Sequence, residues 1–359
     1  MSVMPSPDGI QVNGALRQAV VGLTGACATD CALLTLGGID SSLQEVSADA
    51  SVSGSSDDLR VIRVTGDRSA GGEGVVSLSS VDVTSGPSAT LIAIDVVGGS
   101  DTLDVSLRNI QVFMGGATGY RVGIRTRNTD RVTLSDISIE TAPGTSAPRS
   151  WGVLDGSSSV GPDVCAGPEV CDFTRTSYRA TNISVLFDSD DRFSTGLEFA
   201  GTSDLSLTAT SPSAVEVKAL DVAVGLRTQS LSNASIDGEG FFELHAEAAG
   251  QVGDGSPQNF AIAWLDGSPL GLPGAGGSEV IEVEDIRLIG EQQGDEPGDI
   301  FGAFLDGTRV GTLRSVEVIL DLDAAAARAI GIQLASTVDA LIEQCTVMSQ
   351  SSAPVIDVA

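Results

Sequence analysis

Apolar residues along this chain fall in short pairs spaced by two, with an odd step between one pair and the next. Val132 and Leu134 make one such pair, and Ile137 and Ile139 the next. A spacing of two buries one face of a strand, and the odd step marks a bend. The pattern then recurs. Gly331, Leu334, Thr337, Ile342, Cys345 and Val347 fall on Gly302, Leu305, Thr308, Leu313, Val316 and Val318, a constant offset of 29 residues. Gly123 opens a further copy through Thr129, Val132, Leu134, Ile137 and Ile139. Gly196 opens another with Phe199, Thr202, Leu205 and Leu207, and Gly225 follows it by 29, with looser later positions.

Several short strands and bends per repeat describe one coil of a β-helix, whose inner face is completed only by its neighbours. The expected fold is therefore all-β: a single-stranded right-handed parallel β-helix, a solenoid continuous over residues 1–359. About ten to twelve coils would rise about 4.8 Å each, with less regular N-terminal coils over 1–88. Leucine-rich repeats share the period but need regular Leu and Asn positions that are absent, and left-handed hexapeptide helices need a six-residue beat.

Three copies share a turn: Leu154-Asp155-Gly156, Leu265-Asp266-Gly267 and Leu305-Asp306-Gly307. Asp-Gly reads as a tight corner. Insertions follow the first two, near 157–178 and 268–280, and should emerge along one edge of the rod, where solenoids place binding loops. Trp151, Trp264 and Phe304 stand just before these corners and read as a stack of large side chains in the interior.

On the coil pattern, as in Gly331-Ile332-Gln333-Leu334 and Val132-Thr133-Leu134-Ser135-Asp136-Ile137, most of residues 90–350 resembles the right-handed parallel β-helix repeat proteins, the superfold that includes pectin lyases and polygalacturonases. The resemblance implies a fold and, by analogy alone, a polysaccharide lyase or hydrolase. The Gly-His-Gly element of the polygalacturonases is absent. The lyases use calcium-bound carboxylates with a basic residue, a role for which Arg125 and Arg127, an R-x-R pair on one strand face, would be available.

Composition narrows the function. Hydrophobic residues make up 42% of the chain but aromatics only 4%, so the core must be built from Val, Ile, Leu and Ala, and sugar-stacking platforms are scarce. Acidic residues outnumber basic ones 48 to 19, a net charge of −29, which repels nucleic acid and anionic lipid. No apolar run is long enough to span a membrane. Residues 1–16 carry no Lys or Arg and no sustained apolar stretch, so the chain reads as a mature segment of something longer, without its signal peptide.

The cysteines suggest two stapled loops, Cys27 with Cys31 and Cys165 with Cys171, and a leftover thiol at Cys345. Zinc is the competing reading, but CxxC spacing is missing and the single histidine is remote in sequence. Disulfides favour an extracellular or cell-surface location. A corner after the last apolar pair is acidic: Asp188, Asp190 and Asp191 in one coil, Asp295, Glu296 and Asp299 further on, then Asp321 and Asp323. Glu296, Asp299, Asp321 and Asp323 are the candidate ligands for a hard cation such as Ca2+, against the plainer reading of a solvated acidic face. His245, in Phe242-Glu243-Leu244-His245-Ala246, reads as a packed or edge residue, and no GxSxG accompanies it. The leading expectation is a non-enzymatic structural or adhesive β-helix that requires no cofactor and meets a polysaccharide or surface partner. The alternatives are a carbohydrate-active enzyme and a calcium-stabilised binding module.

Overall fold

A computed structural model of the chain describes residues 2–3, 10–23, 31–37, 41–50, 58–65, 74–98, 103–127, 129–156, 176–188, 190–199, 202–229, 233–248, 258–265, 280–292, 298–306, 310–322, 328–335 and 339–351. These residues form strands and turns. The strands make two sheets, one of fifteen strands and one of eleven, and every strand pairing is parallel. Successive stretches of chain enter the long sheet and the short sheet alternately. This is a parallel β-helix: each coil contributes one pass to each sheet and stacks on the coil before it.

The odd step in the sequence is a physical corner. Gln18, Glu45, Ser80, Asn109, Asp136, Asn182, Glu239, Asp285, Ser315 and Gln344 all have φ between 46° and 56°, and they bend successive passes of the long sheet. A left-handed conformation costs an L-residue about 1 kcal/mol, least for Asn and Asp. Stacking offsets that cost, because side chains at equivalent corners bond to one another. Gln18 Nε2 donates to Glu45 Oε2 at 2.9 Å, Asn109 Nδ2 to Ser80 Oγ at 3.2 Å, and Asn182 Nδ2 to Asp136 Oδ1 at 2.8 Å. Asn182 Oδ1 also accepts the Thr210 backbone amide at 2.9 Å.

The small residue that opens each repeat lies in the short sheet, where two layers come closest. A methyl group on Gly196 would stand 2.1 Å from Val215 Cγ1 of the facing sheet and 2.7 Å from the Gly225 carbonyl of the next coil. Gly302 meets Val318 Cγ1 and the Gly331 carbonyl in the same way, at 2.3 and 2.5 Å. Between the layers lies one continuous, mainly aliphatic core, with Leu107, Ile110, Leu134, Ile139, Val185 and Leu288 among its members, together with the buried aromatics Tyr178, Phe187 and Phe199.

The outer face of the short sheet is also buried in its central coils. Strands Arg149–Asp155 and Phe193–Phe199 are buried at six consecutive positions. Trp151 belongs there and not to the interior, which corrects the expected inner stack at that position. It clusters with Ile92, Val122 and Leu154, apart from the main core, and donates Nε1–H to Glu198 Oε2 at 2.7 Å. Val153 belongs to the main core, whereas Trp151 and Leu154 on either side of it belong to the separate cluster, so strict alternation does not hold through Gly152.

At the C-terminal end of the described residues the core is open. Ile342 is 47% and Val347 44% exposed, whereas Leu313 and Val318, their partners one coil earlier, are 1% and 0% exposed. Position along the stack, and not side-chain type, thus sets what a core substitution costs. Val318→Ala should lower the unfolding free energy by about 2 kcal/mol and Val347→Ala by less than about 1. Gly196→Ala should cost about 2–3 kcal/mol through overpacking. Urea denaturation of the three variants checks this order.

Candidate functional site

Because equivalent positions stack, the outer surface is organised in rows that run across the strands. One pair of rows on the long sheet forms a shallow polar groove of about 370 Å³. Ser177 and Arg179 come from strand Thr176–Phe187, Asp204 and Ser206 from Thr202–Thr208, Asn233 and Ser235 from Asn233–Ala248, and Glu282 from Val280–Gln292. The register places Arg179, Ser206, Ser235 and Glu282 in one line, and Ser177, Asp204 and Asn233 in the next. Asn233 Nδ2 donates to Asp204 Oδ1 at 2.9 Å, which holds that amide across two coils.

A second row, past the left-handed corner, is charged. Lys218, Glu247, Glu291 and Asp321 lie opposite one another on successive strands. Lys218 Nζ stands 3.3 Å from Glu247 and 3.6 Å from Asp188. Burial opposes the charge on Lys218, but Glu247 and Asp188 outweigh it and hold the ammonium pKa above its ordinary value. Burial raises the Glu247 pKa, Lys218 pulls it back, and the neighbouring Glu291 pushes it up again. His245 joins from the adjacent position, its Nε2 3.1 Å from Glu291 Oε2.

The buried ionisable groups are differently placed. Asp155, of the first Leu-Asp-Gly turn, is sealed inside the coil. Complete burial raises its pKa to about 6, although Thr202 and Thr126 donate their hydroxyls to its two oxygens at 2.6 and 2.7 Å. Arg125, one of the two arginines considered for catalysis, grips Asp95 at 2.9 and 3.0 Å, and Arg127 lies 3.8 Å from the same carboxylate. Burial works against ionisation of Asp95, but Arg125, Arg127 and Arg60 overcome it and hold the pKa below the ordinary range. Asp191, read from sequence as part of a solvated acidic corner, is instead fully buried. It accepts Arg121 Nη2 at 2.8 Å, the Ala147 amide at 2.6 Å and the Ser150 hydroxyl.

Of the four expected cation ligands, Glu296 and Asp323 lie outside the described residues. Asp299 is buried at the start of a short-sheet strand, and Asp321 is exposed on the long sheet opposite Glu291. Cys31 is disulfide-bonded; Cys27, Cys165 and Cys171 lie outside the described residues, as do 157–175 and 268–279 of the expected insertions. Cys345 is a free, partly buried thiol. Sequence reasoning missed the meeting of His245, Glu247 and Glu291. Glu247 and Glu291 are equivalent positions 44 residues apart, not 29, because a lengthened coil separates them. Matching Leu244 to Leu288, which pair across these strands, would have found the alignment.

No family model, no curated protein and no solved structure matches this chain.

Asp155 sets a signed expectation for stability. Its folded pKa of about 6 exceeds the unfolded value near 3.8, so the native state binds the extra proton between them. The stability tied to this group is fully present below the unfolded pKa and is lost as the pH rises through about 6, an effect of about 3 kcal/mol from two pKa units. Asp155→Asn should remove that dependence. Melting curves from pH 4 to 8 should show the variant gaining on the native protein as the pH rises, with the gain levelling off above pH 7.

Proposed function

We propose that this chain is a non-enzymatic β-helix of the cell surface or exterior, with a structural or adhesive role, and that the polar groove of the long sheet receives an extended polysaccharide. The groove carries the reading. One polar row runs over four successive strands and its neighbour over three, so a polymer lying across the coils meets hydroxyl, amide and charged groups at intervals of about 4.8 Å. Regular spacing suits a repeating ligand better than a compact one.

Two features weigh toward binding over catalysis. The carboxyl with a pKa suited to proton transfer near neutrality, Asp155, is 1% exposed and faces away from any polymer. Arg125, which would serve as a proton-abstracting base, is locked bidentately on Asp95. We place the coil in the right-handed, pectin-lyase-like superfold on the basis of the coil pattern and the preference of parallel crossovers. Pairing Cys31 with Cys27, and Cys165 with Cys171, belongs to the same proposal and accords with an oxidising exterior.

With a net charge of −29, the chain should prefer neutral polysaccharides to anionic ones. Affinity electrophoresis through gels containing each polymer should show retardation by a neutral polysaccharide, lost when Ser206→Trp fills the groove. Retardation that survives Ser206→Trp, or none across a broad panel, would remove the groove from the account. Cleavage of any polymer would overturn the non-enzymatic reading.

A further inference from the structure

We propose that His245, Glu247 and Glu291 form a binding site for a borderline divalent metal ion such as Zn2+ on the outer face of the long sheet. This site is independent of the polysaccharide groove. His245 and Glu247 alternate on strand Asn233–Ala248 and so project from the same face, and Glu291 sits opposite Glu247 on strand Val280–Gln292. One donor atom from each lies within 4.8 Å of the other two. A tetrahedral ion with bonds near 2.1 Å needs its donors about 3.4 Å apart, so the side chains must close by up to about 1.4 Å. The backbone already supplies the arrangement, because the ladder fixes all three Cα positions.

The donor set chooses the ion. One imidazole and two carboxylates suit zinc and its first-row neighbours, whereas calcium requires six to eight oxygens. Glu247 is only 5% exposed, so its carboxylate is preorganised and poorly hydrated, and Glu291 brings a second negative charge beside it. Lys218 is the competitor. Its ammonium neutralises Glu247 at 3.3 Å, but the side chain is 44% exposed and is free to swing outward when a dication takes its place. Asp188, on the far side of Lys218, offers the ammonium a second partner at 3.6 Å. The contact of His245 Nε2 with Glu291 and the ion pair of Lys218 with Glu247 are the arrangement that metal binding would replace.

His245 is the chain's single histidine, so one imidazole resonance in the proton NMR spectrum reports on this site alone. Titration of the intact protein with Zn2+ should shift that resonance to saturation at one equivalent, while Ca2+ leaves it in place. Glu291→Gln and Glu247→Gln should each weaken Zn2+ binding about tenfold or more, and Lys218→Met should tighten it by removing the competing cation. Far-UV circular dichroism identifies any variant that fails to fold. The Lys218→Met gain does not depend on the glutamate variants and carries the test if they misfold. An imidazole unmoved by Zn2+ to millimolar concentration would overturn the proposal. So would a shift of equal affinity in native, Glu291→Gln and Lys218→Met proteins, since that is binding to an isolated histidine.

Discussion

Parallel stacking in register is the interaction on which everything else in this protein rests. A single coil has an apolar inner face, a left-handed corner and an edge of unpaired backbone groups, and none of these is stable alone. The next coil completes all three at once. It covers the inner row, bonds to the corner side chain and pairs the backbone. The Asp136 corner shows the coupling, since its φ of 56° is supported by Asn182 of the coil above. The close approach at Gly196 shows the same dependence on the other wall, because the methyl group it lacks would strike both the facing sheet and the neighbouring coil.

Stacking also decides how this protein can build a site. A globular fold gathers functional side chains from loops around a cleft. Here, outward positions repeat along rows, and chemistry arises where neighbouring coils happen to carry complementary groups. The groove is a pair of rows of polar and charged side chains; the His245, Glu247 and Glu291 cluster joins two members of one row to a neighbour from the next. The buried pair Arg125 with Asp95 obeys the same geometry, but burial and bidentate hydrogen bonding commit it to structure.

The architecture was legible because the repeat writes each constraint many times. The odd step between Leu134 and Ile137 is the Asp136 corner, and the small residue opening each copy is the close contact between layers. Side-chain direction was harder to read. Trp151 lies next to a glycine and belongs to a cluster apart from the core that holds Val153, so counting alternate residues through Gly152 sends it to the wrong face. Asp191 resembled its exposed neighbours in sequence, and the groups that hold it inside, Arg121, the Ala147 amide and Ser150, lie 41 to 70 residues earlier. The metal-ligating cluster escaped notice because the coil between its strands is lengthened, so the 29-residue offset that aligns other copies fails there.

If neighbours supply the stability of each coil, protection should depend on position along the rod. Native-state hydrogen exchange read by mass spectrometry tests this directly. Backbone amides in strands Leu103–Met114, Arg131–Thr141 and Thr176–Phe187 should exchange slowest and together, while those in Asp339–Glu343 and Thr346–Ser351, at the open end, exchange fastest. A flat profile, with the last coil protected as well as the centre, would contradict an account in which each coil depends on the one beyond it.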